Sequence, residues 1–101
     1  MKQVDFEALA AHATDSVFAF ADFTKQTEHL FADSSDEMAL QAYRRVWFEL
    51  EIVNAAALDE WETDGRPGSW DSKWKELFLK DADETVGMVL TAAQRLFDEK
   101  R

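Results

Sequence analysis

Two histidines and an excess of carboxylates are the side chains of this sequence that could do chemistry. His12 and His29 are 17 positions apart, so on one helix they would point about 100° away from each other and could not hold one metal ion. Neither histidine follows a glutamate by three positions, as carboxylate-bridged di-iron bundles require. The chain has no cysteine, which excludes thiolate metal sites and a cysteine nucleophile. We therefore expect a protein that is not an enzyme, with no catalytic residue, no metal site and no cofactor.

The segment Glu60–Asp71 carries acidic residues at the spacing of a calcium-binding loop. Counted from Glu60, acids occupy positions 1, 3, 5 and 12 and Gly65 occupies position 6, so the segment resembles an EF-hand loop. It departs from that motif with Glu at position 1, the shorter Asp at position 12, and Pro67, which lacks a backbone N–H. The alternative, which we favour, is a helix-to-helix connection in which the glycines and the proline form turns.

Acidic residues and tryptophans are concentrated around this connection. Residues 49–64 contain six acids and no base, and the chain has a net charge of −10, beyond the magnitude of about 2–8 usual for a small domain. Such a charge opposes nucleic-acid binding and speeds encounter with basic proteins. Because tryptophan is common at interface hot spots, we predict a partner-binding site comprising Glu49, Asp59, Glu60, Trp61, Glu62, Asp64 and Trp70. The alternative for the tryptophans is that they pack the connection onto the core.

The elements that position these residues are predicted to be helices. The chain has only three glycines and one proline, too few for the many turns of a β-sandwich or barrel. Apolar residues recur every three or four positions over about 4–32, 36–62 and 70–97. Ser34 and Glu37 have the spacing of a capping box at the start of the second segment. We expect an all-α fold, an antiparallel up-down-up bundle of three long helices forming one domain over residues 1–101. A second capping box at 81–84 offers the alternative of a break near 80–83, which would give four helices.

The first helix has more apolar residues than one core stripe needs. Phe18, Phe23 and Leu30 lie off its main apolar face. We predict that these three residues form a second apolar face, used for a dimer or for a partner. The alternative is a wide core stripe with a few exposed apolar side chains, which are common in monomers.

These patterns predict a small acidic helical protein-interaction module that binds a protein with a basic surface. Immunity proteins, antitoxins and anti-defence inhibitors share this size and acidity, which makes an inhibitor-like role the class analogy. No apolar run is long enough to span a membrane, and we expect a cytoplasmic protein that contacts neither a membrane nor nucleic acid directly. Two alternatives remain open: a homodimeric scaffold protein, and a bundle that binds a small molecule in a pocket near Phe20 and Trp47.

Overall fold

The computed structural model describes residues 1–99, and these residues form five α-helices and no strand. The predicted all-α class is therefore confirmed. The helices are Gln3–His12 (α1), Val17–Thr27 (α2), Glu37–Thr63 (α3), Asp71–Leu77 (α4) and Leu79–Glu99 (α5). The molecule measures 44 × 22 × 19 Å. None of the described helices is both long enough and apolar enough to cross a membrane.

The first predicted helix is two helices, so the expectation of one continuous helix over 4–32 is wrong. The backbone of Ser16 is extended, and its Oγ accepts a hydrogen bond of 3.1 Å from the Ala19 N–H, which caps α2. The chain folds back there, because Phe6 of α1 contacts Phe23 of α2 with ring centroids 5.8 Å apart. Periodicity misses the break, since apolar residues continue at helical spacing through it.

The N-cap of α3 lies two residues after the predicted one, Ser34. Asp36 is the N-cap, and its Oδ1 accepts a 3.0 Å hydrogen bond from the Ala39 N–H. The Ser34 hydroxyl donates instead to the Glu99 carboxylate at 2.7 Å, as does the Ser35 hydroxyl. These hydrogen bonds, from Ser35 first and then from Ser34, hold the pKa of Glu99 below its usual range. The predicted capping box of Ser34 and Glu37 is therefore not formed.

The third predicted segment is divided at Phe78, not at 80–83. The Phe78 N–H donates to the Trp74 carbonyl at the end of α4, and the Phe78 carbonyl accepts from the Ala82 N–H in the first turn of α5, both at 2.9 Å. The Phe78 ring also stacks on Trp70 and Trp74, with centroids 6.0 and 6.2 Å apart. The break is therefore built around a packed aromatic side chain, whereas the capping-box residues 81–84 lie inside α5.

The core lies where α3 packs against α2 on one side and α5 on the other. Near the start of α3, the buried Tyr43 hydroxyl donates to the Thr27 carbonyl at the end of α2, and burial raises the pKa of that hydroxyl. Asp36 Oδ2 lies 3.6 Å from Nη2 of Arg95, which is near the end of α5. The largest fully buried side chains are those of Trp74, Tyr43, Phe6, Phe20, Phe23, Phe31, Leu50 and Leu96.

Candidate functional site

The tryptophans and acids at the end of α3 form a set of internal contacts. The Trp70 indole N–H donates to Asp64 Oδ2 at 2.8 Å, and Lys73 Nζ lies 2.9 and 2.7 Å from the two Asp64 oxygens. The Trp61 indole donates to the Pro67 carbonyl at 2.8 Å. We call Trp61, Asp64, Trp70 and Lys73 the tryptophan–aspartate cluster. Its hydrogen bonds, from Lys73 first and then from Trp70, hold the pKa of Asp64 below its usual range, and Asp64 raises the pKa of Lys73 in turn.

The glycine of the EF-hand-like spacing terminates α3. Gly65 has a φ of +92°, its N–H bonds the Glu62 carbonyl, and the Arg66 N–H bonds the Trp61 carbonyl, each at 3.0 Å. This is a Schellman motif, which needs a left-handed residue just after the helix end. Residues 1–99 contain no group of three or more His, Asp or Glu side chains arranged to hold a metal ion. The segment is therefore a connection between α3 and α4 that begins with this Schellman motif.

Five of the seven residues of the predicted partner site have contacts within this end of the molecule. Trp61, Asp64 and Trp70 belong to the tryptophan–aspartate cluster, and Trp70 is only 6% exposed. Glu60 Oε2 lies 3.8 Å from Lys73 Nζ, and Glu62 Oε1 lies 3.7 Å from Arg66 Nη2. The remaining two residues, Glu49 and Asp59, are exposed. Their carboxylates have no ion-pair or hydrogen-bond partner among the described residues, so these two charges remain available to another molecule.

The structure separates the three residues predicted to form a second apolar face on the first helix. Phe23 is fully buried and contacts Phe6, so it is not available to a partner. Leu30 is partly buried against the core. Phe18 is 44% exposed and packs edge-on against Trp61, with centroids 5.3 Å apart. The reason is the break at 13–16, which lets α2 turn back and bury Phe23 against Phe6 of α1.

Phe20 and Trp47, the residues of the alternative small-molecule pocket, both contact other parts of the chain. Phe20 is fully buried, with its ring centroid 5.4 Å from that of Trp74. The Trp47 indole donates to the Thr24 carbonyl at 3.1 Å. Outside the core, Trp47 and Phe48 line a shallow groove of about 340 Å³ between α3 and the residues that directly follow α2.

A larger apolar groove, which the sequence analysis missed, separates α3 from α5 at the surface. We call it the α3–α5 groove, and its volume is about 520 Å³. Small residues open it, since two helices leave space between them where side chains are short. The signal available in the sequence is the recurrence of Ala and Gly at positions next to the core stripes. Its lining consists of Ala42, Val46, Glu84, Gly87, Met88, Thr91 and Ala92.

Gly87 lies in the middle of α5 and on the surface of this groove. A Cβ atom added there would meet nothing within 4 Å, so no contact inside the chain requires glycine. Glycine destabilises a helix interior by about 1 kcal/mol relative to alanine. The position therefore carries a cost that the fold of the chain alone does not explain. An uncovered glycine does, however, allow the backbone of another molecule to approach closely.

A second apolar surface lies on the side of α3 that faces solvent. Phe48 is 59% exposed and Ile52 is 49% exposed, and Ala55 and Ala56 beside them are also exposed. These four residues follow each other at helical spacing, and we call them the outer face of α3. The sequence analysis missed them as well, although the spacing of four between Phe48 and Ile52, off the main apolar series, is visible in the sequence.

The chain was also compared with known proteins. No protein-family model matches it, no curated protein is similar to it, and no solved structure matches its fold.

Proposed function

We propose that the chain is a small acidic protein-interaction module that binds a basic protein through the α3–α5 groove. The observation that carries this proposal is an apolar groove of about 520 Å³ whose lining includes the carboxylate of Glu84. Grooves between helices commonly receive the apolar face of an amphipathic helix from a partner. In this groove Val46 and Met88 supply apolar contact, and Gly87 allows the partner backbone to approach closely.

The charges around the groove favour a basic partner. Glu84 lines the groove, and Glu49 follows Val46 by one turn on α3. Both carboxylates are exposed and have no hydrogen-bond or ion-pair partner in the described part of the chain. Basic side chains beside the apolar face of a partner helix would pair with them. The net charge of −10 would also speed the encounter and make it sensitive to salt.

Binding in the α3–α5 groove requires a specific packing of the helices. We take α2, α3 and α5 as three antiparallel rods, with α1 and α4 packed against α5. The contacts that support this arrangement join the start of one helix to the end of the next. Asp36 of α3 reaches Arg95 of α5, and Phe18 of α2 reaches Trp61 of α3. A rigid pair of antiparallel rods is what keeps the α3–α5 groove open.

Titration with a model partner tests the proposal. The probe is a helical peptide of leucine and lysine with leucines at i, i+3, i+4 and i+7, and its glutamate analogue is the control ligand. We expect the lysine peptide to shift the amide NMR signals of Val46, Gly87 and Ala92, and the glutamate peptide not to shift them. Shifts confined to other parts of the molecule would overturn the proposal.

Two substitutions sharpen this titration. Gly87→Leu would fill the groove, and Glu84→Lys would reverse the charge at its edge, so each should weaken binding of the lysine peptide by about tenfold or more. Glu76→Lys changes the net charge by the same amount at an exposed position on α4 and is the matched control. Equal affinities for Glu84→Lys and Glu76→Lys would show that net charge alone attracts the peptide.

A further inference from the structure

The outer face of α3 has a pattern of charge and size that is complementary to itself. Ile52 stands at the middle of α3, and Arg45 and Asp59 lie seven residues before and after it. Seven residues are close to two helical turns, so all three side chains project from the same side of α3. Arg45 and Asp59 are both exposed, and neither side chain has an ion-pair partner among residues 1–99.

The apolar residues of this face are also placed at equal distances before and after Ile52. Phe48 lies four residues before Ile52, and Ala56 lies four residues after it. A large side chain on one side of the centre is thus matched by a small one on the other. Phe48 and Ile52 are 59% and 49% exposed, and no other helix of the described chain covers them.

We infer that this face binds the same face of a second copy of the chain, with the two α3 helices antiparallel and Ile52 at the two-fold axis. In an isologous interface of this kind, each residue before the centre is at the level of the residue equally far after it on the partner. Arg45 then faces the partner's Asp59, and Phe48 faces the partner's Ala56. Each contact occurs twice.

Other occupants fit this face less well. A parallel pairing of two copies would bring Arg45 next to the partner's Arg45, which is repulsive. A basic partner would be repelled by Arg45 and an acidic one by Asp59, whereas a second copy satisfies both charges. The self-association inferred here uses a different surface from the α3–α5 groove, so it stands or falls independently of the proposed function.

The solution mass of the full chain is the first measurement. One chain has a mass of 11.6 kDa, and we expect sedimentation equilibrium at physiological salt to show a reversible shift to twice that mass over the micromolar range. Ile52→Gln should abolish the shift and leave the helical circular dichroism unchanged, because Ile52 is half exposed. A monomer throughout the range, or a dimer that Ile52→Gln leaves intact, would overturn the inference.

Charge reversal tests the antiparallel register. Arg45→Glu places two Glu–Asp contacts in the dimer and Asp59→Arg places two Arg–Arg contacts, so each variant alone should dimerise about tenfold more weakly or worse. An equimolar mixture of the two variants forms a heterodimer in which both contacts pair opposite charges. We expect that mixture to dimerise about as tightly as the original chain, and a mixture no tighter than its components would refute the register.

Matched controls separate this effect from net charge and from the groove. Lys25→Glu and Glu76→Arg produce the same two changes in net charge at exposed positions outside α3. These variants should dimerise like the original chain, alone and in mixture. Gly87→Leu should also leave the dimer intact, because it changes the α3–α5 groove and not the outer face. If Gly87→Leu weakens the dimer as much as Ile52→Gln does, the second copy binds in the groove and the inference is wrong.

Discussion

Two regions of α3 both combine apolar and charged residues. They differ in whether those groups contact the rest of the chain or face solvent. At the end of the helix, the tryptophan–aspartate cluster pairs its indoles and its carboxylate with acceptors and donors of the same chain. On the outer face, Phe48 and Ile52 are half exposed or more, and the charges of Arg45 and Asp59 have no partner within residues 1–99. The polar groups of the cluster are therefore bonded within the chain, while those of the outer face have no such partner.

This difference shows that composition alone does not tell which tryptophans and carboxylates are already paired inside the chain. Tryptophan beside carboxylates is typical of interface hot spots, but the same groups also lock a connection onto a helix end. The deciding observation is whether each donor and acceptor already has a partner inside the chain. Burying polar groups that are already satisfied adds little to binding, because their hydrogen bonds have to be exchanged and not gained.

The largest expected effect belongs to the cluster. Trp70→Ala should lower the free energy of unfolding by about 3–5 kcal/mol, because the substitution removes a buried ring and leaves a cavity beside Phe78. Urea denaturation followed by circular dichroism measures this loss. A loss below about 1 kcal/mol would mean that the cluster is a surface feature after all.

A smaller loss, dependent on pH, is expected for Asp64→Asn. The ordinary pKa of this carboxyl is 3.8, and its folded value is lower, so its charge contributes stability above pH 3.8 and that contribution is lost as pH falls below it. The difference in unfolding free energy between the original chain and the variant should therefore be present at pH 7 and shrink toward pH 3. Asp59→Asn, on an exposed carboxylate without a partner in the described chain, is the control when all samples are measured as dilute monomers, and it should show no such difference.

Two glycines should respond in opposite directions to alanine. Gly87→Ala should raise the free energy of unfolding by about 1 kcal/mol, because the new methyl group meets nothing within 4 Å. Gly65→Ala should lower it by about 1 kcal/mol or more, because Gly65 has a φ of +92°. Chemical denaturation of both variants checks the pair. Destabilisation by Gly87→Ala would show that the groove glycine is needed for the fold.

The smallest effect is expected on the outer face. Phe48→Gln should change the free energy of unfolding of the dilute monomer by no more than about 0.5 kcal/mol, although it removes an aromatic ring. The measurement is made below the concentration at which the chain associates. A loss comparable to that of Trp70→Ala would place Phe48 in the core and remove the contrast between the two regions.

The helical class followed from the sequence because its cause is local. The chain has few turn residues, and its apolar stripes extend over long segments. The break after α1 escaped detection since Ala13 and Val17 keep helical spacing while both are buried. The break at Phe78 escaped because it depends on stacking against Trp70 and Trp74, which no local pattern encodes.

For the predicted partner site, the sequence does not show which carboxylates are already paired inside the chain, because such pairing joins residues that are distant in sequence. Asp64 is held by Lys73, nine positions away in the sequence, and spacing alone does not show which carboxylates gain such a partner. Phe23 was misplaced for a related reason, since the fold-back at 13–16 determines which side of α2 is enclosed. The carboxylates of Glu49 and Asp59 have no hydrogen-bond or ion-pair partner among the described residues, so these two residues of the predicted site are still free to bind another molecule.

The indole hydrogen bonds also bear on how this sequence can diverge. Trp47, Trp61 and Trp74 each donate to a main-chain carbonyl, those of Thr24, Pro67 and Thr14 respectively. A main-chain acceptor is present whatever side chain its residue carries. Substitutions of Thr14 therefore leave the acceptor of the Trp74 hydrogen bond in place. That bond joins α4 to the turn after α1, 60 positions earlier in the chain. The dependence is one-sided, since each of these bonds needs an indole N–H at the tryptophan position but no particular side chain at the residue whose carbonyl accepts it.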